Sequence, residues 1–114
     1  LHICGQTEPL LAMMNECGAD GLTVDIKCDV RKAREIVGPD VLFMGNVDTY
    51  KMTCDPETPK QDAIDHIKDM IDGGVDAVMP GCDLWPDIKE ENMKACVDTT
   101  HDYGKKASPA VGRL

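Results

Sequence analysis

Aromatic side chains are nearly missing from this sequence, with one Trp, two Tyr and one Phe in 114 residues. The core must therefore be filled by Val, Ile, Leu, Met and Ala, and seven Met residues make parts of it adaptable. Positive charge is also scarce. Twelve Lys and Arg stand against 21 Asp and Glu, for a formal net charge of -9. Such a surface repels phosphate backbones and anionic headgroups, which argues against nucleic acid and membrane as partners. The acidic residues are spread over helix-like segments as a solvated outer face. No apolar run approaches the ~20 residues that span a bilayer. No basic-then-apolar leader opens the chain. These absences predict a cytoplasmic protein whose six cysteines (4, 17, 28, 54, 82 and 96) are reduced. Their spacing carries no small-scaffold disulfide pattern. An initiating Met is lacking too. The chain starts inside a strand-like run, as expected for a piece of a longer protein.

Four short apolar runs are present: LHIC at 1–4, GLTVD at 21–25, DVLFMGN at 40–46 and DAVMPG at 76–81. Each is bounded by Gly, Pro, Asp or Asn, and most are continuous rather than alternating, as strands buried on both faces read. Helical periodicity fills the gaps. The first helix is predicted over 7–17, with Thr7 as cap, Pro9 in the first turn and Gly18 as stop. A second runs over 29–37, and a third over 58–72 with Thr58 as cap. A fourth spans 88–103 and stops at Gly104. Residues 105–114 read equally as a last short strand or a tail. The order β-α-β-α-β-α-β-α predicts an α/β fold with parallel strands and right-handed crossovers. An internal echo, CGADGLTVD and GGVDAVMPG, repeats one helix-stop-to-strand unit.

Parallel α/β folds place their sites at the carboxyl ends of the strands. Those ends hold His2 and Cys4, then Asp25, then Gly45-Asn46, then Cys82 and Asp83. His2 and Cys4 have strand period two and share one face. If the first and fourth strands face a common centre, Cys82 joins them. One imidazole and two thiolates suit Zn²⁺, and three protein ligands leave the open position of a catalytic site. The same three residues also read as two buried thiols and a hydrogen-bonded core His. Asp25 is open between capping the next helix and a functional role. Gly45-Asn46 is open between a permissive turn and a ligand contact, and Trp85 between packing its loop and lining the mouth of the site. Cys17, Cys28, Cys54 and Cys96 read as buried or unreactive thiols. His66 and His101 read as surface residues.

The set HICG, VD, GNVD and PGCDLWP…EEN resembles the C-terminal half of the uroporphyrinogen decarboxylase superfamily across essentially the whole chain. PGC after the last strand resembles its corrinoid methyltransferase branch, the methylcobamide:coenzyme M and O-demethylase methyltransferases. That resemblance implies a TIM barrel, of which residues 1–114 form a parallel (β/α)4 C-terminal half. It implies zinc on His2, Cys4 and Cys82. Asp25 and Asp83 are the catalytic candidates, expected as proton-bearing groups that orient the ligand shell. Asn46 and Trp85 are the expected contacts to a corrinoid (cobalamin), which a separate corrinoid-binding protein carries. The implied reaction moves a methyl group to or from cobalt. The other party is a coenzyme M-like thiol acceptor or a methylated oxygen donor such as a methyl ether or methanol. A half-barrel also leaves two sheet edges unpaired, so self-association is expected. The competing readings are a metal-free decarboxylase and a non-catalytic piece that docks the corrinoid protein.

Overall fold

A computed structural model describes residues 1–53 and 60–107. Cys54 and the cap Thr58 lie outside the described residues, as do positions 108–114 of the C-terminal segment. The strands are β1 (His2–Ile3), β2 (Gly21–Val24), β3 (Leu42–Val47) and β4 (Ala77–Pro80). They form one parallel sheet in the order β1-β2-β3-β4. The α/β fold read from the apolar runs is the observed one. The helices are α1 (Leu11–Glu16), α2 (Val30–Val37), α3 (Thr49–Thr53), α4 (Lys60–Asp72) and α5 (Glu90–Ala107), with a 3-10 turn at Glu8–Leu10 before α1.

One face of the sheet carries the core. Leu22, Val24 and Phe43 are buried there against Ala33 and Val37 of α2, and Ala63, Ile67 and Met70 of α4. The single Phe is among the largest fully buried side chains, so the few aromatics are spent where volume is needed. α2 begins where Asp29 accepts hydrogen bonds from the backbone of Arg31 (2.9 Å) and Lys32 (3.2 Å), satisfying two donors that a helix start leaves free. Gly18 and Gly74, the echoed helix stops, both sit at positive φ (73° and 96°), the conformation that favours Gly. At the amino-terminal end of the sheet Arg34 acts as a staple. It donates to the carbonyls of Gly74, Gly38 and Val41 and pairs with Asp76, whose carboxylate also accepts from the Phe43 amide. That end is built for stability, as is usual for this face of parallel α/β folds.

Three local expectations change. Thr7 does not cap its helix. It has helical φ and ψ (-95°, -1°), not the extended conformation a cap needs, and its hydroxyl makes no cap bond. The helix enters through a 3-10 turn instead. Gly104 does not stop α5, which continues through Lys105 to Ala107. Gly costs helix stability but does not forbid helix, and good helix formers follow it here. Gly45-Asn46 is not a turn but part of β3. Gly45 has φ 142°, and an added Cβ would come within 3.0 Å of the Val24 carbonyl oxygen, so this strand position takes only Gly.

Candidate metal centre

His2 pairs in register with Thr23, which puts the two on the same face of the sheet. The His2 ring uses that neighbour, as Nδ1 shares a hydrogen bond with the Thr23 hydroxyl. Nε2 is left facing the Cys4 sulfur at 3.1 Å. Cys4 Sγ in turn lies 3.2 Å from Cys82 Sγ. β1 and β4 are the two edges of a four-stranded sheet. In a flat sheet with strands ~4.8 Å apart those edges would be about 14 Å from each other. The segment after β4 turns in over the exits of β3 and β2, where the Gly81 amide bonds the Val47 carbonyl and Gly81 packs against the Ile26 and Asn46 backbone, and this brings Cys82 to Cys4.

Asp25 closes the group. It is buried, and its carboxylate accepts from the Gly5 amide (2.8 Å) and the Lys27 amide (3.2 Å), tying the exit of β1 to the exit of β2. It does not cap α2, a task Asp29 performs. Ligand atoms of Cys4, Asp25 and Cys82 all lie within 4.8 Å of one another, the one such group of three among the described residues. The Cys4 thiol is pushed above its usual range, chiefly by its hydrogen bond to Cys82 and further by the nearby charges of Asp25 and Asp83.

The donor chemistry fits zinc. One imidazole nitrogen and two sulfurs are soft to borderline donors, and Thr23 fixes which ring nitrogen faces them. From ordinary Zn–S and Zn–N bond lengths, tetrahedral ligand atoms stand about 3.5–3.8 Å apart. The observed separations of 3.1 and 3.2 Å need only small outward shifts to reach that spacing, while His2, which is not among the three residues grouped within 4.8 Å, must also swing toward Cys82. His2 and Cys4 are exposed and Cys82 is half-buried, so one side of the group stays open.

The remaining expected residues are placed around this group. Asp83 is exposed beside Cys82. Asn46 is buried, and its amide nitrogen donates to the carbonyls of Asp25 (3.0 Å) and Cys28 (2.8 Å), so it holds the loop that carries Asp25. Trp85 is 52% exposed and meets Tyr50 edge to face, with centroids 6.3 Å apart. The contact packs the loop and leaves indole surface open. Thr23 and Tyr50 were not anticipated. Thr23 could have been suspected as the one polar residue inside an apolar run, whereas Tyr50 lies on α3, which no periodicity announces. A separate apolar cavity of about 270 Å³ lies between β4 and α5, lined by Met52, Met79, Leu84, Met93 and Val97. It holds none of the clustered donors, so the chemistry is not there.

His66 differs from its expectation. It is half-buried, and its Nε2 is enclosed without a hydrogen-bond partner, in hollows it lines with Ile26, Asn46 and Asp48. His101 is exposed as expected. Burial pushes the Cys28 and Cys96 thiols up to about 11 each. Thiolate is the reactive form, so at pH 8 iodoacetamide should label exposed Cys17 and leave Cys28 and Cys96 unmodified. Peptide mapping that finds Cys28 labelled as fast as Cys17 would contradict this burial.

The uroporphyrinogen decarboxylase (URO-D) family profile matches residues 1–103. The methylcobamide:CoM methyltransferase MtaA of Methanosarcina barkeri is 33% identical over 108 residues, covering 90% of this chain and 30% of that protein. The methylcobamide:CoM methyltransferase MtbA of Methanosarcina acetivorans is 30% identical over 103 residues, again covering 90% and 30%. A solved methyltransferase from Methanosarcina mazei superposes with a TM-score of 0.78 at 33% identity, covering 91% of this chain and 31% of that one. The chain thus spans about a third of the length of the relatives it matches. Among the described residues no helix is long and apolar enough to cross a membrane.

Proposed function

The chain belongs to the uroporphyrinogen decarboxylase family, and from that premise we propose that it is the C-terminal half-barrel of a zinc-dependent, corrinoid-linked methyltransferase. The observation that carries this reading is the contact chain at the carboxyl end of the sheet: Cys4 Sγ lies 3.2 Å from Cys82 Sγ in one group with Asp25, and His2 Nε2 lies 3.1 Å from Cys4 Sγ. His2, Cys4 and Cys82 would hold the zinc. When bound, the ion supplies Lewis acidity, either lowering the pKa of a thiol acceptor or steadying the alkoxide leaving from a methylated oxygen donor.

The chain's own residues set the conditions. Thr23 holds Nδ1 of the imidazole, so Nε2 is the nitrogen left to the metal. Asp25, held by two backbone amides, places fixed negative charge beside the cluster and keeps the exits of β1 and β2 together. Two thiolate donors keep the net charge of the centre low, so an incoming thiolate stays nucleophilic. Asp83 and Trp85, exposed in the segment that follows Cys82, would meet the corrinoid protein and the small substrate. The similarity to methylcobamide:CoM methyltransferases supports a cobamide methyl donor and a coenzyme M-like thiol acceptor.

The test is metal content and turnover of the full-length protein. One zinc per chain after dialysis, with methyl transfer from a methylcobamide to a thiol, is the expected result. Absence of stoichiometric zinc, with decarboxylation of a tetrapyrrole acid, would replace this reading with the decarboxylase one. Among the described residues, β1 and β4 are the two edges of the sheet. Edges of this kind recruit other strands, so the isolated chain should self-associate. A concentration-independent monomer mass by light scattering would refute that.

A further inference from the structure

The geometry points to a disulfide latch between Cys4 and Cys82, a second and redox-dependent state of the thiol pair. The consequence for metal rests on the zinc reading above, but the bond itself does not. The two sulfurs are 3.2 Å apart in separate free cysteines. A disulfide bond is about 2.05 Å long, so closure asks for roughly 1.2 Å of approach. Both backbones are held: the Gly5 amide after Cys4 donates to Asp25 (2.8 Å), and the Gly81 amide before Cys82 donates to the Val47 carbonyl (2.9 Å). The approach therefore falls to the side chains, and exposed Cys4 has more room to turn than half-buried Cys82. Among the described residues, Cys28 and Cys96 are buried and Cys17 stands alone on the surface, so only this pair is both reachable and paired.

The oxidant is a low-molecular-weight disulfide such as oxidised glutathione. A protein thiolate attacks its S–S bond, forming a mixed disulfide and expelling one glutathione thiolate. The second protein sulfur then attacks the mixed disulfide, forming Cys4–Cys82 and expelling the other glutathione. Two protein thiols are oxidised, one glutathione disulfide is reduced, and the two thiol protons end on the two glutathione sulfurs. The product links the edge strands of the sheet across 78 residues and removes both sulfur donors from His2. The metal centre and the disulfide are mutually exclusive states of the same two sulfurs.

The experiment treats the chelator-stripped chain and the zinc-loaded chain with oxidised glutathione under native conditions, followed by intact mass and peptide mapping. In the stripped chain the latch predicts loss of two hydrogens, a Cys4–Cys82 cross-linked peptide, and a glutathione adduct on Cys17. Cys82→Ser should stop at a glutathione adduct on Cys4, with the circular dichroism of the parent. Zinc-loaded chain should keep both thiols. Separate glutathione adducts on Cys4 and Cys82, or free thiols at both while Cys17 is modified, would overturn the latch even if zinc binds. Equal cross-linking with and without zinc would sustain the latch and sink the metal reading instead.

Discussion

Cys82→Ser should empty the metal centre while leaving the fold intact. Cys82 is half-buried at the carboxyl end of β4 and belongs to no part of the apolar core, so serine in its place removes a donor without opening a cavity. Loss of an outer partner such as a hydrogen-bonded second residue typically costs 10–100-fold in metal affinity. Loss of one of three direct ligands should cost more, on the order of a thousand-fold. Zinc per chain should fall from one to near zero after dialysis, and methyl transfer by the full-length protein should fall with it. Cys4→Ser should match it, and the double variant should be little worse than either, because the ligands act as a unit. Cys17→Ser is the control, an exposed thiol at the C-terminal end of α1 with no contact to the cluster, and should change neither readout. Stoichiometric zinc retained in Cys82→Ser would remove this residue from the centre.

Much of this centre was legible in the sequence because it rests on short-range regularities. Short apolar runs bounded by Gly, Pro, Asp or Asn marked every strand of the parallel sheet, and strand periodicity alone put His2 and Cys4 on one face. What periodicity could not provide was the approach of Cys82 to Cys4. That depends on how the segment after β4 turns in over the exits of β3 and β2, a property of those strands together. Asp25 and Asn46 show the other limit. Both stand near strand ends, where catalytic and structural polar groups look alike in sequence. In the fold, Asn46 spends its amide on two backbone carbonyls, and Asp25 spends its carboxylate on two backbone amides. The failures are local. Thr7 has the right residue type for a cap but the wrong backbone conformation, and Gly104 has the residue type of a stop while the helix passes through it. Short α3, with Tyr50, is too brief to carry a periodic signal.

Gly81→Ala should destabilise the chain and displace Cys82. The added Cβ would lie 2.9 Å from the Ile26 amide nitrogen, 3.0 Å from the Val47 carbonyl oxygen and 3.3 Å from the Asn46 carbonyl carbon. All three are backbone atoms, so no side chain can rotate away. Relief requires β4's exit to move off β3 and off the turn after β2. Overpacking of this kind costs typically 1–3 kcal/mol, and a backbone-only clash belongs at the upper end, about 3 kcal/mol. Gly5→Ala is the useful comparison. It meets nothing within 4 Å but sits at φ 88°, so its cost is conformational, about 1–2 kcal/mol, with no strand displaced. Urea unfolding should therefore show the larger midpoint loss for Gly81→Ala. The site effect should separate the two more sharply. Gly81 is the residue that fixes Cys82, so its displacement carries that sulfur away from Cys4, and zinc affinity should fall with stability. A Gly81→Ala protein with parental midpoint and parental zinc affinity would mean that the exit of β4 does not set the position of Cys82.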